Sequence, residues 1–160
     1  MTWSIIARDA GGAFGIAIAS RFFAVGALCP HIRSGVGAVS TQALVNPLYA
    51  RPALDALERG TPPQQVLQQV TAADEGRDHR QIHVIDADGA TAAFTGASCI
   101  DWCGHTSGKG YSVAGNMLAG PQVISATAAA YEAGSDLPFA ERLIAALAAG
   151  DAAGGDKRRG

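Results

Sequence analysis

The chain contains few charged residues and few aromatic residues. Of its 160 residues, 16% are charged and 6% are aromatic, and the formal net charge is −2. No dense basic run precedes the last few residues, so the pattern for binding nucleic acid or an anionic membrane is missing. There is also no window near the roughly 18 to 20 continuous apolar residues of a spanning helix, and no signal-peptide pattern. We therefore expect a soluble, cytoplasmic protein without nucleic acid or membrane partners.

Cysteine is scarce as well. Cys29, Cys99 and Cys103 cannot all pair within one chain, and we expect them to be reduced. Cys99, Cys103 and His105 offer three soft ligands, but a structural zinc needs a fourth ligand and usually a closer cysteine spacing. Phosphate-loop, dinucleotide-binding, zinc-protease and serine-hydrolase motifs are missing too. The sequence therefore predicts neither a metal nor another cofactor.

Small and apolar residues are abundant, and their alternation predicts strands in two blocks. Hydrophobic residues make up 48% of the chain, which also has 20 glycines. Residues 2–8 and 13–20 flank a turn sequence and form a predicted hairpin. Its second strand alternates large residues with glycine and alanine, so another layer can pack close to the bare face. Further strands are predicted at 35–42, as a hairpin within 81–96, and as two short strands within 98–116.

A pair of predicted helices follows each block of strands. The first pair runs from Ala50 to Arg59, ended by Gly60, and from Thr61, whose hydroxyl is expected to cap the second helix. The last pair runs from Pro121 to Gly134 and from Pro138 to Gly150. Predicted core positions are Val66, Leu67, Val70, Val123, Ile124, Thr127, Ala128, Tyr131, Phe139, Leu143, Ile144 and Leu147. This order predicts one α+β domain over residues 1–160, with two sheets and helices packed outside them.

Thr2 is the first candidate catalytic residue. Removal of Met1 before this small residue would leave a free α-amine beside the threonine hydroxyl, and the amine can act as the base for that hydroxyl. If Met1 is retained, the amine is blocked. The hairpin partner of this strand ends Ala19-Ser20-Arg21, and the arrangement resembles the first hairpin of proteasome-type hydrolases, which usually carry Asp where Ala19 lies.

The other candidates lie where predicted strands end. Asn116 could donate its side-chain amide to an oxyanion or could simply hold its turn, and Gly115 and Gly120 offer backbone donors beside it. Substrate-binding candidates come from three places. They are Ser20, Arg21, Thr41 and Gln42 at strand ends, and His79 and Arg80 in a polar cluster that could orient a carboxylate or serve acid–base chemistry, although such a cluster is more often a solvated loop.

Several strings resemble one bacterial and archaeal family of unknown function, number 1028, along essentially the whole chain. They are MTWSIIARD (1–9), ASRFFAVG (19–26), GVGAVSTQA (35–43), HRQ (79–81), TGA (95–97), GNMLAG (115–120) and AGGD (153–156). The resemblance implies an αββα sandwich of the N-terminal-nucleophile (Ntn) hydrolase type. It also implies hydrolysis of an amide bond in a small molecule or peptide-like substrate.

The pattern of that family continues past Gly155-Asp156 into a further strand. We therefore expect this chain to be the larger piece of a self-cleaved precursor that ends at a processing point, Gly160, and lacks its C-terminal strands. In the leading hypothesis the nucleophile heads a companion chain, and the processed pair forms a homo-oligomer through the outer helices. The alternatives are Thr2 as the nucleophile after removal of Met1, and a non-catalytic small-molecule-binding module with the same fold.

Overall fold

A computed structural model describes residues 1–158, and these residues form eight β-strands and four α-helices. The strands are Thr2–Arg8 (β1), Phe14–Ser20 (β2), Pro30–Arg33 (β3), Gly37–Ala43 (β4), Arg80–Asp86 (β5), Thr91–Thr95 (β6), Trp102–Gly108 (β7) and Tyr111–Leu118 (β8). The helices are Ala50–Glu58 (α1), Pro63–Ala72 (α2), Pro121–Ala133 (α3) and Phe139–Ala152 (α4). All pairings are antiparallel and give two four-stranded sheets, ordered β2-β1-β8-β7 and β3-β4-β5-β6. The predicted α+β class, with two sheets and four helices, is confirmed.

The elements pack as helix pair, sheet, sheet and helix pair. Trp3 and Ile5 of β1 join the core formed with α3 and α4. Val39 and Ile82 of the second sheet join the core formed with α1 and α2. Ile6, on the opposite face of β1, packs with Ala38 and Ile85 between the two sheets. The central strands are therefore covered on both faces, as their near-continuous apolar sequences require.

The nearly bare face of β2 receives helix α4. At Gly15 an added Cβ would lie 2.5 Å from Cδ1 of Leu143 and 2.9 Å from Cε1 of Phe139, so no larger residue fits there. Phe14 and Ile16 face the other way and pack against the core between the sheets. The alternation in this strand therefore sets both the helix contact and the sheet contact, and the predicted close packing on the bare face is confirmed.

Two details near the first helix pair differ from the prediction. Strand β3 was not predicted, because its four residues begin with proline, show no clear alternation and form an edge strand. Thr61 does not cap α2: Pro62 is the N-cap residue and makes no side-chain capping hydrogen bond, and Pro63 opens the helix. The amide of Thr61 instead donates to the carbonyl of Ala56, which keeps Thr61 with the end of α1.

The prediction for α4 was wrong at two positions. Ile144 is 66% exposed, and the buried positions of the helix are Leu143, Ala146 and Gly150. The helix continues through Gly150 to Ala152. Gly150 is an interior contact rather than a helix terminator, because an added Cβ would lie 2.3 Å from Oγ1 of Thr127 on α3.

Candidate functional site

Thr2 lies at the start of a central strand of the first sheet, between two polar partners. In the strand register it pairs with Ser20 on β2 and with Asn116 on β8. The Oγ atoms of Thr2 and Ser20 are 3.0 Å apart, and Thr2 is 6% exposed. Ser20 donates its only hydroxyl hydrogen to the carbonyl of Met1, at 2.6 Å, so Thr2 must be the donor in its contact with Ser20.

The amine of Met1 is half-buried in front of Thr2. It donates to the sulfur of Met117 at 3.1 Å. Burial lowers the pKa of this amine below its ordinary value of 8.0, and the positive charge of Arg158 lowers it further. This end of the sheet therefore favours a neutral amine, which is the form that can accept a proton.

Three side-chain amides hold one another in fixed orientations behind Asn116. Gln81 directs its Nε2 hydrogens to three acceptors, which are the carbonyls of Gly115 and Gly104 at 2.8 Å and 3.1 Å and the hydroxyl of Thr95 at 2.9 Å. Its Oε1 must therefore accept, and it receives Nε2 of Gln42 at 2.9 Å and Nδ2 of Asn116 at 3.1 Å. One N–H and Oδ1 of the Asn116 amide make no hydrogen bond within residues 1–158, so both can meet a ligand.

The same reasoning fixes the proton on a buried histidine between the sheets. Since Nε2 of Gln42 donates, its Oε1 accepts from the hydroxyl of Ser4 at 2.7 Å. Ser4 must then accept from Nε2 of His83 at 2.9 Å, which leaves Nδ1 to accept from the hydroxyl of Ser112 at 3.1 Å. Burial lowers the pKa of His83 to about 3, with nearby His105 contributing, so the ring is neutral.

This polar layer escaped the sequence analysis. Ser4, Gln42, Gln81, His83 and Ser112 are all fully buried, and each occupies an inward position of its strand. A polar residue at an inward position was the available signal. It could not be interpreted without the pairing of the two sheets, because every partner belongs to another strand.

Two cavities meet at Met1, and Met1 lines both. The first, which we call the apolar cavity, has a volume of about 330 Å³. Besides Met1 it is lined by Ala43, Leu44, His79, Ser98, Cys99, Ile100, Asn116 and Met117. The second, which we call the polar cavity, has a volume of about 300 Å³. Besides Met1 it is lined by Trp3, Ala19, Ser20, Arg21, Asp151 and Asp156.

The backbone is strained beside the apolar cavity. Ala43 and Met117 both line it, and they have left-handed φ angles of 68° and 56°. Asp101, which follows the lining residue Ile100, has a φ of 57°. Left-handed backbone is rare outside glycine and gathers where a structure holds a functional geometry.

Several predicted site residues are brought together here. Thr2, Ser20 and Asn116 are neighbours, and Gln42 stands one step behind Asn116 through Gln81. Arg21 lines the polar cavity, where Nη1 of its guanidinium donates to the carbonyl of Arg158 at 2.8 Å. His79 is exposed and lines the apolar cavity.

Other predicted site residues lie elsewhere. Thr41 faces the helix side of its sheet, where its hydroxyl accepts from the amide of Asn46 at 3.4 Å, because its neighbours Ser40 and Gln42 face the interior. Gly115 and Gly120 border neither cavity, and the carbonyl of Gly115 is taken by Gln81. The predicted processing residue, Gly160, lies outside the described residues.

Arg80 is held in an ion pair away from Thr2. Its Nε lies 3.0 Å from Oδ2 of Asp74, and its Nη1 donates to the carbonyl of Leu44 at 2.7 Å. The same carboxylate accepts from the hydroxyl of Tyr49 at 2.5 Å and from the side chain of Asn46 at 3.2 Å. The hydroxyl of Tyr49 and then Arg80 hold the pKa of Asp74 well below its usual range. This cluster fixes the segment between α2 and β5 beside a hollow of about 450 Å³ that it lines.

The three possible metal ligands Cys99, Cys103 and His105 make hydrogen bonds with other protein groups. Cys99 and Cys103 donate to the carbonyls of Arg80 and Cys99, at 3.4 Å and 3.6 Å, and Nδ1 of His105 lies 2.9 Å from the hydroxyl of Thr95. Within residues 1–158, no group of three or more His, Cys, Asp or Glu side chains is placed to hold a metal ion.

Comparison with known proteins identifies the family. The family of unknown function DUF1028 matches residues 2–160. The chain belongs to the DUF1028 family. The crystal structure of protein SPO2555 from Silicibacter pomeroyi, which carries the same family designation, is similar with a TM-score of 0.91 and 35% sequence identity. The match covers 96% of this chain and 71% of that chain.

No curated protein matches this DUF1028 chain. The match to the family model confirms the predicted family resemblance. The Ntn-hydrolase assignment and amide hydrolysis stay predictions. None of the helices described in residues 1–158 is long and apolar enough to cross a membrane.

Proposed function

We propose that this DUF1028 protein is an amide hydrolase of the Ntn type and that Thr2 is its nucleophile once Met1 has been removed. The observation that carries the proposal is the position of Thr2. It opens a central strand, lies between Ser20 and Asn116, and is covered by a residue that lines two cavities. The helix–sheet–sheet–helix order supports the same superfamily.

The proposed chemistry uses the α-amine of Thr2 as the base. The amine takes the hydroxyl proton of Thr2 while Oγ1 attacks the amide carbonyl, and a tetrahedral oxyanion forms. Collapse of this intermediate breaks the C–N bond, gives the proton to the leaving nitrogen and leaves an ester on Thr2. Water then hydrolyses the ester. Loss of Met1 also removes the acceptor of the Ser20 hydroxyl, which can then donate to Oγ1 of Thr2.

Asn116 has a defined place in this scheme. Gln81 fixes its amide so that one N–H makes no hydrogen bond with a described residue, and Asn116 borders the apolar cavity next to Thr2. We assign that N–H to the oxyanion, where a preorganised donor contributes most to catalysis. Oδ1 of the same amide can accept from the new α-amine.

A second form of the hypothesis places the nucleophile at the head of a companion chain. One observation supports it. Residues 155–157 fold back against β8, with the amide of Ala119 bonded to Gly155 and the amide of Lys157 bonded to Met117. The last described residues therefore lie beside Met1, where a companion nucleophile would be needed.

Intact-mass spectrometry of the protein expressed from its full gene tests these alternatives. A single mass lacking Met1 supports Thr2, and two masses support a companion chain that begins with Thr, Ser or Cys. A single unsplit mass that retains Met1 contradicts both and favours a non-catalytic binding module.

Labelling then tests the nucleophile itself. A β-lactone that acylates N-terminal threonine should modify the Met1-free protein and its Thr2→Ser variant, because both have a hydroxyl beside the α-amine. It should leave the Thr2→Ala variant unmodified. Equal labelling of Thr2→Ala would exclude Thr2.

A further inference from the structure

We infer that the substrate is an N-acyl amino acid whose apolar acyl chain occupies the apolar cavity and whose amino-acid part occupies the polar cavity. This inference rests on the proposed function, because it places the scissile amide at Thr2. It is carried by the different linings of the two cavities and by the position of Thr2 between them.

The apolar cavity is built for a hydrocarbon group. Leu44 and Ile100 line it and remain 62% and 61% exposed, although both are large apolar residues. Met117 and Ala43 complete the wall on either side in strained backbone. A bound chain would cover these side chains and remove apolar surface from water, at about 0.8 kcal/mol for each buried methylene group.

The polar cavity presents charge instead. The guanidinium of Arg21 is positioned there by its hydrogen bond to the carbonyl of Arg158, and a guanidinium binds a carboxylate well. The carboxylate of Asp156 lines the same cavity, where Arg158 holds it in an ion pair with Nη2 3.0 Å from Oδ2, and it adds a negative charge that an ammonium group can approach. A leaving amino acid carries both groups: the carboxylate it already has and the ammonium formed when the C–N bond breaks.

Thr2 sets the direction of binding. Its strand partner on one side, Asn116, lines the apolar cavity, and its partner on the other side, Ser20, lines the polar cavity. Met1 is common to both walls, so its removal joins the cavities at Thr2. A carbonyl held at Thr2 then has its acyl chain on the Asn116 side and its nitrogen on the Ser20 side. Hydrolysis consumes water and releases a carboxylic acid and an amino acid.

The first experiment measures kcat/KM of the Met1-free protein on N-acyl-alanines from acetyl to decanoyl. We expect kcat/KM to rise about fourfold for each added methylene until the cavity is full. Leu44→Asn and Ile100→Asn should lower kcat/KM for the decanoyl substrate by a larger factor than kcat/KM for the acetyl substrate. Ile144→Asn, at an exposed position of α4, is the matched control and should change neither.

The amino-acid side has its own variant. Arg21→Gln should raise KM for decanoyl-alanine about tenfold more than it raises KM for decanoyl-ethylamine, because the latter has no carboxylate. An equal rise in KM for both substrates would contradict the assignment of Arg21.

Calorimetry on Thr2→Ala separates this inference from the proposed function. Chain-length-dependent binding of N-acyl-alanines to this inactive variant supports the two-cavity site even if the wild type proves inactive. Thr2-dependent hydrolysis without any dependence on chain length supports the proposed function and overturns the acyl assignment. Absence of both binding and hydrolysis overturns the substrate class.

Discussion

Gln81 shows how much one buried side chain can determine. Two backbone carbonyls and the hydroxyl of Thr95 fix its amide, and the amide then fixes Gln42 and Asn116. Through Gln42 and Ser4 the same chain of donors reaches His83. One glutamine thus links the proposed oxyanion donor to the polar layer between the sheets.

Gln81→Leu tests this role. Leucine has a similar volume but removes the acceptor of one N–H of Gln42 and of one N–H of Asn116, and each buried unpaired group costs about 1–3 kcal/mol. We expect the free energy of unfolding in urea to fall by about 3 kcal/mol or more. Gln68→Leu, an exposed change on α2, should stay within about 0.5 kcal/mol. Equal losses in the free energy of unfolding of the two variants would show that the hydrogen bonds of Gln81 do not stabilise the fold.

Asp74 holds Arg80 in an ion pair, although the sequence indicated Arg80 as a substrate-binding residue. Asp74→Ala leaves the Arg80 guanidinium and the Tyr49 hydroxyl without their acceptor, and we expect a loss of about 1–3 kcal/mol in the free energy of unfolding. Because the pKa of Asp74 is depressed on folding, its contribution is present above about pH 3.8 and is lost at lower pH. Asp88→Ala, in an exposed turn, is the control for urea unfolding and should have no comparable effect.

The apolar periodicity of α4 predicts that a helix forms there but does not predict which of two adjacent apolar residues faces the core. The apolar pattern predicted the helix, and the glycine and alanine face of β2 predicted close contact with another layer, which the structure shows to be α4. Leu143 and Ile144 are adjacent apolar residues, and the sequence placed both inside. Only the helix phase set by α3 and β2 decides between them.

A pair of alanine substitutions tests that phase. Leu143→Ala removes a buried side chain that reaches Gly15, and we expect the free energy of unfolding to fall by about 2–5 kcal/mol. Ile144→Ala removes an exposed side chain of the same size and should change it by less than about 0.5 kcal/mol. Thermal or urea unfolding measures both, and a reversed order would mean that the helix is rotated from the described position.

The layered order of the whole molecule followed from the sequence, because the strand and helix patterns have different periods and alternate in blocks. The neighbourhood of Thr2 and Ser20 was also predictable, since the two residues begin and end the first predicted hairpin, whereas Asn116 lies inside β8, two residues before its end. The polar layer was not, because Ser4, Gln42 and His83 meet only when β1, β4 and β5 face each other across two sheets.

The buried polar layer makes the stability of the whole fold depend on pH, because it holds a neutral histidine. His83 is neutral when folded with a pKa of about 3, whereas an exposed histidine titrates near 6.5. Below pH 6.5 the unfolded chain therefore binds the proton more readily, and stability falls as the pH falls, by up to about 1.4 kcal/mol per pH unit. His105, whose pKa is also lowered by burial, adds a change of the same sign.

Urea unfolding of the wild type and of His83→Gln between pH 7 and pH 5 measures this contribution. This window lies about one pH unit or more above the ordinary aspartate pKa of 3.8, so the histidines contribute most of the proton uptake on unfolding. We expect His83→Gln to be less stable at pH 7 but to lose less stability on acidification. His79→Gln, which changes an exposed histidine, should keep the wild-type dependence. If His83→Gln kept it as well, the imidazole would not be the neutral link that joins Ser4 of the first sheet to Ser112 through the interior.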